Sequence, residues 1–227
     1  MTEAKKSRSF FRIFIPVAVV VALVALALSG QLATVRPIGS FTANSTLNPA
    51  GQTFNKVAYV DGIWDARVVP AVQSGATDVG ILIPALRKDP AATAKQFGHD
   101  VGGADNFLIR FNGKVTKIDT SSMNGLITVS LPLEGQPMDV QVQVGPIIAG
   151  TALRDAVGFI TFGLFTNQMQ FGDVGDELNN RVLKKVLAGV EPKTLLGKTV
   201  FIEGAFTYDS ASPRTVVVTP VVLTLGK

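Results

Sequence analysis

An α+β fold is predicted by a change of hydrophobic period along the chain. Up to Gly98 the apolar residues recur at helical spacing. From Asn106 to Gly145 they alternate with polar ones, as strands with one buried face do. A second helical stretch, Gly145–Leu196, separates this strand run from two further strands within 198–225. Three strands, a helical insertion and two strands is the order of a five-stranded, partly open β-barrel of the OB type. The expected architecture is an N-terminal membrane helix, short helices, then an OB-like barrel with a helical insertion between strands three and four.

Residues 1–30 read as the membrane segment. Met1–Arg12 carries Lys5, Lys6, Arg8 and Arg12 against Glu3, and Ile13–Leu28 follows as 16 residues without a charged or polar side chain. As a helix that run spans about 24 Å, slightly short of a hydrocarbon core about 30 Å thick. Phe10 and Phe11 extend it, with Arg12 snorkelling towards headgroups. Two arrangements fit. An uncleaved anchor suits the length of the run; a cleaved signal peptide would use Ala25-Leu26-Ala27 or Ala27-Leu28-Ser29 as its small-residue site. In both, the cationic flank stays cytoplasmic and the rest of the chain lies outside. The expected location is a single pass of the inner membrane with a periplasmic C-terminal domain, or a secreted form after cleavage.

Residues 31–53 are rich in Pro, Gly, Ser and Asn and read as a linker, leaving 54–227 as the extracytoplasmic domain. Tyr59, Ile63 and Trp64 share a helical face, and Pro70 and Pro84 are expected to break or kink the helices they meet. Asp89-Pro90 starts another helix, with Asp as N-cap and Pro at the first position. Phe107, Ile109 and Phe111 open the first barrel strand, and Asn112-Gly113 is expected to place a bulge before Val115. Ile127, Val129, Leu131 and Leu133 mark the second strand. Met138, Val140, Val142 and Val144 mark the third, with Asp139, Gln141 and Gln143 on its wet face. Asn124-Gly125 and Glu134–Pro137 are the turns between them. Val174, Leu178, Val182, Leu183 and Val186 form a helical stripe, and Asp209–Pro213 joins strands Lys198–Tyr208 and Arg214–Leu225 as a hairpin loop.

Composition removes whole classes of chemistry. Of 227 residues, 47% are hydrophobic and 17% charged, so the chain can bury a core. Zero cysteines exclude a disulfide framework, a thiolate metal site and a cysteine nucleophile, and the one histidine, His99, excludes sites needing two imidazoles. No cofactor or metal is expected. The net charge of +4 lies mostly in the first twelve residues; from Ile13 onward 17 basic residues face 16 acidic ones, so no nucleic-acid partner is expected. Arg110, Lys114 and Lys117 read as a solvated face. His99, in a glycine-flanked loop context, lacks a nucleophile or second ligand at any useful spacing.

One segment carries more than architecture. Gly145-Pro146-Ile147-Ile148-Ala149-Gly150-Thr151-Ala152-Leu153-Arg154-Asp155-Ala156 is followed by Phe165-Thr166-Asn167-Gln168 and Leu178-Asn179. With Gly62–Asp65, Val69-Pro70, Asn106–Leu108, Gly113–Val115, Gly197–Val200 and Gly204–Phe206, it resembles an uncharacterised bacterial family, domain of unknown function 2291, described as predicted periplasmic lipoproteins. The resemblance spans residues 55–222 in order. It implies an extracytoplasmic protein, often encoded near carbohydrate ABC transporters, with no established activity. The chain departs from the pattern in having no cysteine to lipidate; a transmembrane anchor would take that place.

The candidate ligand or partner residues are Arg154, Asp155, Asn167, Gln168 and Asn179. Arg154 has two readings: a fork of donors for an anionic group or a partner's carboxylate, or a structural group holding carbonyls or an acid. Buried charges usually serve architecture, which favours the second. Adjacent helical residues do not face each other, so Arg154 and Asp155 are expected to take separate partners. Phe159, Phe162 and Phe165 read as core, with Asn167 and Gln168 satisfying backbone groups where the chain turns. The expected function is a non-enzymatic, membrane-anchored accessory protein associated with a carbohydrate ABC-transport system, its partners being transporter components or a sugar-binding protein. The alternative is a carbohydrate-binding module using the helix–barrel junction around Arg154 and Asn167. An enzyme resting on Asp155, Asp173 or Asp176 is the least supported reading.

Overall fold

A closed ring of five strands forms the centre of the fold. The computed structural model describes residues 54–132, 137–212 and 215–226. The expected membrane segment, the linker, Leu133, most of the Glu134–Pro137 turn and Arg214 lie outside the described residues. Among those described, no helix is long and apolar enough to cross a membrane.

The long strand β3 (Ala104–Asp119) pairs antiparallel with β4 (Leu126–Leu131), and β4 with β5 (Met138–Gln143). β5 meets β7 (Val217–Leu225) in parallel at Gln141↔Val217 and Val142↔Val218. β7 pairs antiparallel with β6 (Thr199–Thr207), which returns to β3 over Asn106–Lys114. The short strands β1 (Thr77–Asp78) and β2 (Gly98–Val101) attach to the free edge of β3. Alternation dictates the inside of the ring. Phe107, Ile109, Phe111, Val115, Ile127, Val129, Val140, Val142, Val200, Ile202, Phe206 and Val218 are all essentially fully buried.

Two details of β3 differ from expectation. The bulge falls at Thr116, between Val115 and Lys117, and not at Asn112-Gly113. Gly113 serves close approach instead: a Cβ there would lie 2.5 Å from Val129 Cγ1 and 2.6 Å from Leu131 Cδ2. β4 crosses β3 too tightly for a side chain at that inward position. His99, read as a loop residue, lies in β2 opposite Asn106.

The helices before the barrel begin where side-chain oxygens cap them. Asn55 Oδ1 accepts from Ala58 N–H at 3.0 Å to start α1 (Lys56–Ile63). α1 widens into a π turn, Trp64–Val68, and continues as α2 (Val69–Gly75). Pro70 explains the π turn. It has no N–H to give and its ring crowds the preceding turn, so Val69 N–H reaches back to Trp64 O. Asp78 caps α3 (Val79–Lys88) and Asp89 caps α4 (Pro90–Phe97), as its sequence predicts. Pro84 does not end its helix: it lies inside α3, where it and Gly80 are exposed and the freed carbonyl meets solvent.

The insertion between β5 and β6 holds one-turn α5 (Ala152–Ala156), a short 3₁₀ turn Phe162–Leu164, and α6 (Gln168–Arg181), extended by a π turn Val182–Val186. The predicted stripe is present, with Val174, Leu178 and Val182 fully buried and Leu183 and Val186 packed at the core's margin.

Candidate functional site

At the helix–barrel junction, polar groups are spent on one another. Arg154 and Asp155, 7% and 4% exposed, pair with each other, contrary to the expectation of separate partners. Arg154 Nε donates to Asp155 Oδ1 at 2.7 Å and Nη2 to Oδ2 at 3.0 Å. Adjacent residues on a helix do not ordinarily face each other; here the guanidinium nonetheless turns onto the carboxylate of the next residue. Thr151 Oγ1 also donates to Asp155 Oδ2 at 2.6 Å. Arg154 Nη1 donates to Phe171 O at 3.1 Å, and the guanidinium carbon lies 3.7 Å from the centroid of the Phe171 ring. Gly175 packs beside it: a Cβ there would lie in ordinary van der Waals contact with Arg154 Nη1, at 3.5 Å.

Asn179 Nδ2 donates to Ile148 O and Gly150 O, at 3.2 and 2.8 Å. Gln143 holds the same loop from the other side, donating to Ala149 O and accepting from Ala149 N–H, while also donating to Thr219 Oγ1. Gln143 was expected on the wet face of β5; the loop folds over it and leaves it 4% exposed. Asn167 caps α6, accepting from Gln170 N–H at 2.9 Å, and Gln168 is exposed in the first turn. The structure therefore brings Arg154, Asp155 and Asn179 into one clasp around the Gly145–Gly150 loop and α6, and leaves Asn167 and Gln168 outside it. Of the three phenylalanines expected in the core, Phe165 is buried and Phe159 half-buried beneath Arg67, but Phe162 is 49% exposed at the tip of the insertion.

A second site lies on the barrel's outer face. Thr116 and Lys117 from β3, Thr128 from β4, Asp139 and Gln141 from β5, and Thr215 and Val216 ahead of β7 line an open groove of about 360 Å³. The bulge at Thr116 builds it, because two successive residues, Thr116 and Lys117, both turn outward there. Sequence reasoning missed this groove. The available signal was the inward series stepping from Val115 to Ile118, three residues where strict alternation takes two. Hydroxyl and amide groups dominate the lining, with one charge of each sign. Elsewhere on the wall, Glu203 is 7% exposed, and burial raises its carboxyl above the usual glutamate range, opposed by the Arg110 charge across the strand pair. Among the described residues no cluster of His, Asp or Glu has the makings of a metal site.

The strand order β3-β4-β5-β7-β6, closed by β6 on β3 with β5 and β7 parallel, defines an OB-fold domain. It is similar to a crystal structure of an OB-fold protein from Thermotoga maritima, with a TM-score of 0.61 at 18% identity over 77% of this chain and 100% of that one. The chain belongs to the family of predicted periplasmic lipoproteins designated domain of unknown function 2291, which it matches over residues 19–224. Membership places it among extracytoplasmic, membrane-associated proteins. No curated protein matches the chain.

Proposed function

We propose that this chain is a non-enzymatic, membrane-anchored accessory protein of a carbohydrate ABC-transport system, and that it engages its partner through the groove on the barrel face. The chemistry of that groove supports the reading. Thr116, Thr128, Gln141 and Thr215 present neutral donors and acceptors on rigid strands or beside them, flanked by Lys117 and Asp139. The strand face and adjoining loops are also where an OB barrel accepts its ligands. Full-length chain extracted from its native membrane should carry a permease, ATPase or solute-binding subunit of a sugar transporter with it. Gln141→Arg together with Thr128→Arg should release that subunit. Recovery of the same complex with the double variant would remove the groove from the proposal, and recovery of no transporter subunit would remove the association.

The same hydroxyl- and amide-rich lining favours direct carbohydrate binding as the second reading. That reading now rests on the groove, because the groups at the helix–barrel junction already have internal partners. A sugar at a hundred times its dissociation constant adds about 2.7 kcal/mol of stability. A sugar-specific rise in Tm that Gln141→Ala abolishes would put ligand binding first.

A further inference from the structure

The groove on the barrel face carries its charges on opposite flanks. Strand register places Lys117 beside Thr128 and Thr128 beside Gln141, so the three form one row on the outer surface. Asp139 precedes Gln141 on the same face of β5 and lies in the next row, where Ser130 separates it from Lys114. Strands lie about 4.8 Å apart and rise about 3.4 Å per residue, which sets the Cα atoms of Lys117 and Asp139 about 12 Å apart. β3 is thus a basic flank and β5 an acidic one, with Thr128, Ser130 and Gln141 as a neutral floor between them.

Among the described residues these groups have no internal partners. Lys114, Lys117 and Asp139 are exposed and enter none of the ion pairs, all of which lie among the helices. Asp119, the carboxylate nearest Lys117 along β3, is held by the N–H and hydroxyl of Ser121. Arg154, Asp155 and Asn179 at the helix–barrel junction are, by contrast, bonded within the domain.

The separation of the two charges selects the class of occupant. In an extended polypeptide, side chains i and i+4 share one face and stand about 13–14 Å apart. An acidic residue at one position and a basic one at the other reach Lys117 and Asp139, while the polar groups between them meet the hydroxyls and the amide. A neutral sugar leaves both charges unanswered, and none of the described lining residues offers an aromatic ring to its apolar face.

Resting on the groove as the seat of a protein partner, we propose that the partner enters it as an extended segment with an acidic side chain at Lys117 and a basic one about four residues away at Asp139. The opposed charges also fix the direction in which the segment crosses the strands, because the reverse orientation sets like charges together.

The test selects short random peptides, displayed on phage, against full-length chain in detergent micelles. Selected sequences should carry an acid and a base about four positions apart and should elute with salt, which screens exposed ion pairs. Selection against Lys117→Glu should return a base where the acid stood and leave the other end unchanged. Selection against Asp139→Lys should do the converse. Peptides without the charge pattern, the same peptides from the parent and both variants, or no enrichment at all would overturn the proposal. A transporter subunit that Gln141→Arg with Thr128→Arg releases, but that Lys117→Glu and Asp139→Lys each leave bound, would overturn the charged segment and keep the groove. Peptides of the expected pattern without any transporter subunit in the native extract would support the segment and remove only the transport association.

Discussion

Arg154 illustrates how a buried charge is made tolerable. Its guanidinium faces a carboxylate, a backbone carbonyl and an aromatic ring, which replace much of the water that would have solvated it. Removing it leaves Asp155 with Thr151 alone and strips Phe171 O of its donor. We expect Arg154→Ala to cost about 3–5 kcal/mol, the penalty of leaving one partner of a buried pair uncompensated. Arg154→Lys should restore only part of this, since a point charge cannot span both carboxylate oxygens. Urea midpoints of the three proteins check the order. An alanine variant with an unchanged midpoint would mean that the arginine serves something outside the domain.

At the scale of elements, α1 and α6, each with the π turn that extends it, lie side by side in the same direction, joined by three ion pairs. Lys56 meets Asp173 at 2.8 Å, Asp61 meets Arg181, and Asp65 meets Lys185 at 2.6 Å. Each rung has at least one largely exposed partner. In water such pairs contribute less than about 1 kcal/mol each, so the ladder sets register and direction more than stability. Beneath it, Val60, Ile63 and Trp64 of the first helical run share the core with Val174, Leu178 and Val182. We therefore expect Lys185→Ala to change the unfolding free energy by less than about 1 kcal/mol. Leu178→Ala should cost about 2–5 kcal/mol through lost burial and the cavity left behind. Comparable losses from the two would assign the helix pairing to the ion pairs.

At the largest scale, the described domain packs its helices on the outside of the barrel, and Glu203 lies in the barrel wall. α2 packs across β3 and β6, and Glu203 faces Arg110 across those two strands. Folding raises its pKa. A carboxyl of that kind binds its proton more tightly in the folded state. Its contribution to stability is fully present below the ordinary glutamate pKa and is lost as pH rises through the raised value. Glu203→Gln, which stays neutral, should match the parent in acid and become progressively more stable than it towards neutral pH. Urea unfolding of both proteins across that range measures the difference, and a constant difference would mean that the carboxyl titrates as it does in the unfolded chain.

The sequence by itself determined most strand faces and the helix start at Asp89. These follow from rules that act within a few residues: period-two alternation at Met138–Val142 and a cap followed by proline at Asp89-Pro90. It also carried the order of three strands, insertion and two strands, from which the barrel type follows. Tertiary structure alone decided how distant pieces meet. The Gly145–Gly150 loop folds back over β5, so that Gln143 leaves the wet face and joins Asn179 in holding the loop. Arg154 pairs with its own neighbour, which helical spacing disfavours, while Phe171 of α6 takes the rest of its guanidinium. The groove needs Thr116, Gln141 and Thr215 from three separate segments, brought together only when β7 closes the ring beside β5. Local pattern reports which face of an element is buried. Which other element buries it, and which polar atoms are thereby paired or left facing solvent, depends on contacts between residues far apart in the chain, and no local rule contains them.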